Sequence, residues 1–255
     1  MEASRGKEAE HEENGISVHT GACEKEVIQA CFDFICIWLQ KYLSLPAAMS
    51  SAHSKRHFLA FSTTPSYTGA DEYFHRSGFI LPMVPCVEVV LKSLLSGSSG
   101  TLLEKLLGKN AVLQEATAII SQPGVTSQAF HSDGNWNDQG PRVITVFLAM
   151  HDIFDDTMGP TRFCPKTHKP SCFIEKKWIP PTEQLALERK PTWFKLSAGD
   201  AILMDSTTWH CGSANTSSNK NRTLLSFSFV EDRGDNSNAS TDVLRLSNFR
   251  GSGMI

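Results

Sequence analysis

The chain has no basic excess. Its 24 Lys and Arg stand against 27 Asp and Glu, a formal net charge of −3, so electrostatics supplies no handle for nucleic acid. It also has no paired-cysteine motif. Its seven cysteines, Cys23, Cys31, Cys36, Cys86, Cys164, Cys172 and Cys211, are an odd number and never fall in Cys-x-x-Cys spacing. That argues against a zinc ribbon or a disulfide framework. We read them as reduced thiols, mostly small buried hydrophobes, in a reducing compartment. Nor is there a long apolar run. Val27 to Leu45 comes nearest, and Gln29, Asp33, Gln40 and Lys41 interrupt it, so no membrane insertion is expected. Met1 to Asn14 lacks the apolar centre of a secretory signal. Ser252 to Ile255 carries no recognisable address. Without a signal, the glycosylation spacings at Asn215 and Asn238 read as chance matches. The expectation is a cytoplasmic monomer whose partner is a small molecule.

With 255 residues, 40% hydrophobic and 20% charged, the chain can bury a large core. Residues 1–19, rich in Glu, read as a disordered acidic leader. Helical spacing follows in Ile28, Cys31, Phe32, Ile35, Trp38, Leu39 and Tyr42, with Thr20 as candidate N-cap and Leu45-Pro46 as the stop. This helix is expected to lie on the outside of a sheet. Residues 47–67 read as loop with a short strand at His57 to Phe61, and Ala70 to Ser77 as a short helix ending at Gly78. Cys86 to Leu95 and Thr101 to Leu107 read as helical pieces separated by Ser96-Gly97-Ser98-Ser99-Gly100. From Ala111 the texture becomes β-rich: Ala116 to Ser121, Arg142 to His151, Trp193 to Ser197, Ala201 to Asp205 and Thr223 to Val230. Leu224, Ser226 and Ser228 alternate with Leu225, Phe227 and Phe229, the pattern of a half-buried strand. Helices first and strands later give an α+β chain. One domain over 20–232 is expected, helical over about 20–109 with a β core over about 110–232. Residues 233–255 form a tail. There is no internal repeat.

The chemistry concentrates in Gln128-Ala129-Phe130-His131-Ser132-Asp133-Gly134. On a strand, residues i and i+2 share a face, so His131 and Asp133 aim an imidazole and a carboxylate at one point. Trp209-His210-Cys211-Gly212, 77 residues after Asp133, offers a third ligand. Two histidines and one carboxylate leave metal positions open, a set that selects non-haem Fe(II). Arg222 follows His210 by twelve residues, and its planar guanidinium suits a two-point grip on a carboxylate.

This ordered set resembles that of the phytanoyl-CoA dioxygenase family of Fe(II)/2-oxoglutarate-dependent oxygenases. The resemblance runs over about residues 110–230. It includes Ser121-Gln122-Pro123-Gly124, Thr145 to Met150, Gly159-Pro160 through Pro165-Lys166-Thr167-His168-Lys169, and Gly199-Asp200 to Asp205 before Trp209-His210 and Asn215. Two departures stand out. Lys166 replaces a common glycine, and the distal His–Arg spacing is twelve rather than about eleven. The resemblance implies a double-stranded β-helix, a jelly-roll or cupin-like barrel, with flanking N-terminal helices. It implies His131, Asp133 and His210 as iron ligands, Arg222 as the grip on 2-oxoglutarate with Thr145 assisting, and O2 as oxidant. The expected reaction is hydroxylation of an unactivated C–H bond in a small organic or lipid-like substrate, releasing succinate and CO2. Related halogenases replace the carboxylate ligand with a small residue. Asp133 therefore points to hydroxylation.

Two other readings remain open: a cupin-like metalloenzyme that does not use 2-oxoglutarate, and an inactive barrel serving as a binding module. His151 and His168, with Asp155 and Asp156, are the alternative metal cluster, though a structural role for His168 and a loop role for His151 are preferred. Cys211 is expected to face away from its ligand neighbour. Ser121 and Gln122 are further candidates for lining the co-substrate pocket. The Gly134–Gly140 loop with Trp136 is a candidate lid.

Overall fold

The computed structural model describes residues 2–43, 58–60, 76–134, 140–169, 189–234 and 244–249. The elements run α1 (Glu2–Asn14), β1 (Ile16–His19), α2 (Lys25–Leu43), β2 (Phe58–Ala60), β3 (Arg76–Ile80), α3 (Pro85–Ser96), α4 (Ser98–Leu107) and β4 (Val112–Ser121). After these come β5 (Val143–Ala149), a 3-10 turn (Asp156–Met158), β6 (Thr161–Phe163), β7 (Ala201–Asp205), β8 (His210–Gly212), β9 (Arg222–Val230) and α5 (Leu246–Phe249).

Alternation in β9 sorts the fold into layers. Leu225, Phe227 and Phe229 are fully buried in the larger core, each contributing about 1.5–3 kcal/mol of burial. Arg222, Leu224, Ser226 and Ser228 face the other way and line a cavity. Neighbouring strands obey the same parity. Ala116, Ala118 and Ile120 of β4 and Ile144, Val146 and Leu148 of β5 join the larger core, while Thr117, Ile119, Thr145 and Phe147 line the cavity. The main sheet has seven strands in the order β1-β7-β5-β9-β4-β3-β2, and every pairing is antiparallel. On its cavity side stands a small sheet of β6 and β8, widened by bridges from Phe163 to Thr192 and from His210 to His131.

Helices α2, α3 and α4 cover the opposite face. In α2 the buried positions Ile28, Cys31, Ile35 and Leu39 form the expected stripe, but Trp38 stands off it, 38% exposed. The helix begins at Lys25, so Thr20 does not cap it. The break between α3 and α4 falls at Gly97 alone, with a bend of 78°. Ser98 to Gly100 belong to α4 because Ser99 and Gly100 are buried there against α3. Among the described residues, no single helix is long and apolar enough to cross a membrane.

Four expectations are corrected. The leader is ordered: residues 2–14 form a helix, and Ile16–His19 pairs with β7. Composition rules count apolar surface, whereas α1 docks through polar contacts. His11 is fully buried. Glu12 pairs with Arg142 at 2.8 Å, Glu8 with Lys105 at 2.6 Å and Glu13 with Lys166 at 2.7 Å. Next, Arg76 and Ser77 are strand rather than helix, since β3 pairs with β4 through Ile80; residues 70–75 lie outside the described residues. Finally, the tail is not merely trailing. Leu244 accepts a backbone hydrogen bond from Leu113, and Leu246 is 1% exposed within the larger core. Trp193 to Ser197 is extended chain with isolated bridges, not a strand.

Candidate active site

His131 and His210 are brought together by backbone pairing. His131 N donates to His210 O at 2.9 Å, and His210 N donates to His131 O at 2.8 Å. Their rings lie 4.5 Å apart, centroid to centroid. Asp133, two residues on, returns its carboxylate to both: Oδ1 is 3.7 Å from His131 Nε2 and Oδ2 is 3.6 Å from His210 Nε2. These gaps are too long for hydrogen bonds. All three ligand atoms lie within 4.8 Å of one another, a grouping that could hold a metal ion. Each Nδ1 faces a carbonyl, Ala129 O at 2.9 Å for His131 and Thr208 O at 3.0 Å for His210. That contact protonates Nδ1 and leaves the Nε2 lone pair for a metal. Burial lowers the pKa of His210, which favours the neutral imidazole that ligation requires.

The triad opens on a cavity of about 450 Å³ between the two sheets. Its depth can be read from strand register. At one end a single cross-strand row holds Arg222, Ser121 and Arg76. Above it come Leu224 and Ile119, then Ser226, Thr117 and Phe147, then Ser228, Glu115 and Thr145. The His210 ring lies 6.1 Å from that of Phe147, which puts the triad midway.

The arginine row is the second chemical feature. Arg222 is 1% exposed and Arg76 3%. Arg76 donates to Ser121 Oγ at 3.1 Å and Ser213 O at 2.7 Å, and its Nη1 is buried without a partner among the described residues. Arg222 donates to Gly159 O at 3.1 Å. Among the described residues neither guanidinium hydrogen-bonds to a carboxylate. Burial, with Arg76 as a second cause, pushes Arg222 down to about 9, and burial lowers Arg76 to about 10. Two buried cations sharing one wall call for an anion.

Local sequence builds this row. Gly159 has φ 71°, and a Cβ there would meet Ser213 O at 2.7 Å, so only glycine presents its carbonyl to Arg222. At Gly212 a Cβ would lie 2.8 Å from Gln128 Oε1 and 3.0 Å from Arg76 Cζ; its absence lets the guanidinium rest on β8. Lys166 keeps the backbone of the glycine it replaces, at φ 66°.

The sequence-derived triad and Arg222 thus border one cavity. Thr145 borders it too, but six residues up the β9 ladder from Arg222, opposite Ser228. At the strand rise that is about 20 Å, so Thr145 does not assist the Arg222 grip; Ser121 is the hydroxyl at that depth. Neither Gln122 nor Ser121 is itself among the cavity-lining residues; the Ser121 hydroxyl is taken up by Arg76. Arg76 and Gln128 went unrecognised. Arg76 lies in a polar stretch far upstream, and only its pairing opposite Ser121 reveals it.

His151 and His168 do not form a second metal cluster among the described residues. His151 Nε2 accepts from Thr223 N at 2.9 Å, and His168 Nε2 lies 3.3 Å from Glu12 O beneath α1. Cys211 faces away from the cavity into a groove beside Phe130, and burial raises its thiol pKa to about 11. Residues 135–139, including Trp136, lie outside the described residues, and with them most of the candidate lid.

A family model for phytanoyl-CoA dioxygenase matches residues 86–223, just over half of the chain. The chain belongs to the phytanoyl-CoA dioxygenase family. No curated protein matches it by sequence. Among solved structures, it resembles AviO1 from Streptomyces viridochromogenes at 11% identity and a TM-score of 0.66, covering 90% of this chain and 96% of that one. It also resembles SnoK, a non-heme alpha ketoglutarate dependent carbocyclase, at 14% identity and 0.61, covering 89% and 83%. The epimerase SnoN, solved with Fe3+ and alpha ketoglutarate, matches at 16% identity and 0.58, covering 90% and 84%. At these identities the likeness shows a shared fold, the double-stranded β-helix, not a shared reaction.

Proposed function

We propose that this member of the phytanoyl-CoA dioxygenase family is an Fe(II)- and 2-oxoglutarate-dependent oxygenase that hydroxylates an unactivated C–H bond of a small organic molecule. The observation that carries the reading is the meeting, in one cavity, of a two-histidine, one-carboxylate triad and two buried arginines that, among the described residues, have no carboxylate partner. The donor set fits iron: two imidazoles and one carboxylate, all from one side. His131, Asp133 and His210 would hold it. Bound iron, with O2, supplies the coupling of 2-oxoglutarate decarboxylation to oxidation of the substrate.

The protein's own part is positioning. Arg222 grips the far carboxylate of 2-oxoglutarate with charge-assisted hydrogen bonds. Arg76, held by Ser121 and Ser213, adds positive potential at the same depth. Ile119, Phe147 and Leu224 line the stretch between the arginines and the triad and keep water from it. The Ala129 and Thr208 carbonyls hold both ligand rings in orientation. The carbocyclase and epimerase neighbours show that this fold hosts other outcomes, so hydroxylation needs its own test.

Anaerobically purified protein is given Fe(II), 2-oxoglutarate and then O2, beside His131→Ala and Arg222→Ala. Succinate is expected from the parent, none from His131→Ala, and a strongly raised 2-oxoglutarate requirement in Arg222→Ala. Absence of succinate from the parent, with no spectral sign of 2-oxoglutarate chelating iron, would overturn the reading. Once a substrate is found, incorporation of ¹⁸O from labelled O2 distinguishes hydroxylation from epimerisation or ring closure.

A further inference from the structure

The cavity is electrically graded along its length, and the end away from the arginines has its own chemistry. Opposite Ser228, the β4 ladder slips between Leu113 and Glu115. A bulge of this kind re-aims side chains beside active sites, and here both Gln114 and Glu115 reach the cavity. Glu115 Oε1 accepts the Thr117 hydroxyl at 2.5 Å, which steadies the carboxylate. Among the described residues Glu115 makes no ion pair. In the same row Thr145 and Ser228 join hydroxyls at 3.0 Å. Apart from the ligand Asp133, Glu115 is the one carboxylate lining the cavity among the described residues, and Arg76 and Arg222 are its only cations. Those cations lie at the far end.

We propose that Glu115 selects the prime substrate, favouring a small polar molecule that carries a protonated amine. This rests on the oxygenase reading, in which the arginine end holds 2-oxoglutarate and the substrate takes the remaining space. An exposed carboxylate at this end of the cavity, flanked by hydroxyls, attracts an ammonium group and repels phosphates and carboxylates. It disfavours an acyl-CoA, whose phosphates would meet Glu115 at an end of the cavity where no described lining residue is basic. It also disfavours a lipid-like substrate, because this row is polar. The hydroxyls would orient the body of the molecule so that one C–H bond faces the triad.

The test uses two series of related probes graded in charge: glucosamine, glucose and glucuronate, and then lysine, norleucine and 2-aminoadipate. Binding to the anaerobic Fe(II)/2-oxoglutarate complex is measured by calorimetry, and each probe's stimulation of succinate formation is measured in air. The expected result is tighter binding and greater stimulation by the more cationic member of each set, by about fivefold over its neutral partner, as for a half-exposed ion pair. Glu115→Gln should erase that preference and Glu115→Lys should reverse it. Equal responses within each set, a preference for the anionic member, or a preference that survives Glu115→Gln would each overturn the proposal. A parent that forms succinate but shows no charge preference refutes this inference alone. A parent that neither forms succinate nor binds 2-oxoglutarate refutes the underlying reading.

Discussion

Replacing Arg222 with Met separates two quantities that usually fall together, folding stability and ligand response. In the parent, Arg222 is buried, and burial and Arg76 together lower its pKa to about 9. A buried cation without a counter-ion costs several kcal/mol, of order 3 or more. Met keeps most of the aliphatic stem and removes the charge, leaving Gly159 O without its donor at a cost of about 1–3 kcal/mol. The ligand-free variant should therefore melt no lower than the parent. The ligand response should collapse. A two-point grip is worth about 1.5–3 kcal/mol per charge-assisted hydrogen bond, so losing it weakens 2-oxoglutarate binding by about 10²- to 10⁴-fold. The assay is thermal unfolding of the anaerobic Fe(II)-loaded protein with and without 2-oxoglutarate. At a hundred times its Kd the co-substrate stabilises the parent by about 2.7 kcal/mol. For a chain of this size that is a rise of about 5–10 °C. The variant should rise by less than about 1 °C. If Arg222→Met keeps half the parent's shift, Arg222 does not hold 2-oxoglutarate. If the ligand-free variant melts well below the parent, the arginine row is a structural bond rather than an unmet demand for an anion.

Other perturbations test separate links. Gly212→Ala places a Cβ 3.0 Å from Arg76 Cζ and 2.8 Å from Gln128 Oε1; it should weaken 2-oxoglutarate binding by about tenfold, read by calorimetry, while Ala at a non-contacting glycine such as Gly97 does not. Leu246→Ala removes a side chain 1% exposed and should cost about 2–5 kcal/mol in urea unfolding; a loss below 1 kcal/mol would return the C-terminal segment to the role of a loose tail. His11 and His19 are held down at about 4 by burial. Between about pH 4 and 6.5 the unfolded chain therefore binds protons that the folded chain refuses, and stability falls with acidification by up to about 1.4 kcal/mol per pH unit for each histidine. Urea unfolding at pH 5 and 7 checks this, and the double variant His11→Asn/His19→Asn should show a flatter dependence.

How far the fold could be read from the residues depended on which force holds each element. The strands β4, β5, β7 and β9 are held by apolar packing, and their β-rich apolar runs, with the alternation of β9, are written in the chain. The stripe of α2 is legible for the same reason. Elements held by polar burial are not. Helix α1 carries no apolar stripe; it is seated by His11 and by ion pairs to partners as distant as Arg142 and Lys166. Strand β3 is five residues long and contains a glycine, and its strand character comes from pairing with β4. The polar 233–255 segment gives no local sign that Leu246 fills a gap in the core.

The site divides along the same line. His131 and Asp133 are legible because two residues of extended chain set their geometry, and the motif around His210 adds the third ligand. Arg222 tests the reasoning more sharply, since twelve residues from His210 rather than eleven changes strand parity unless the intervening loop absorbs the difference. It does, and the means are visible. Asn215 Nδ2 donates to Ser121 O and to Lys220 O, each at 2.8 Å, and its Oδ1 accepts from Ser217 N and Oγ. One side chain thus ties the loop to the end of β4. The extra residue is spent in the turn, and Arg222 enters β9 opposite Ser121 with its guanidinium in the cavity. Replacing Asn215 should therefore act at a distance. Asn215→Ala removes the tie to β4 and leaves Ser121 O without its side-chain donor. The cost is about 1–3 kcal/mol of stability, and freedom of the loop lets the register of Arg222 slip. The 2-oxoglutarate Kd should rise more than stability alone explains, whereas Asn215→Asp, which keeps the oxygen for Ser217 but loses both donors, should behave like the Ala variant. If either variant binds 2-oxoglutarate as the parent does, β9 pairing alone sets the register and the loop is passive.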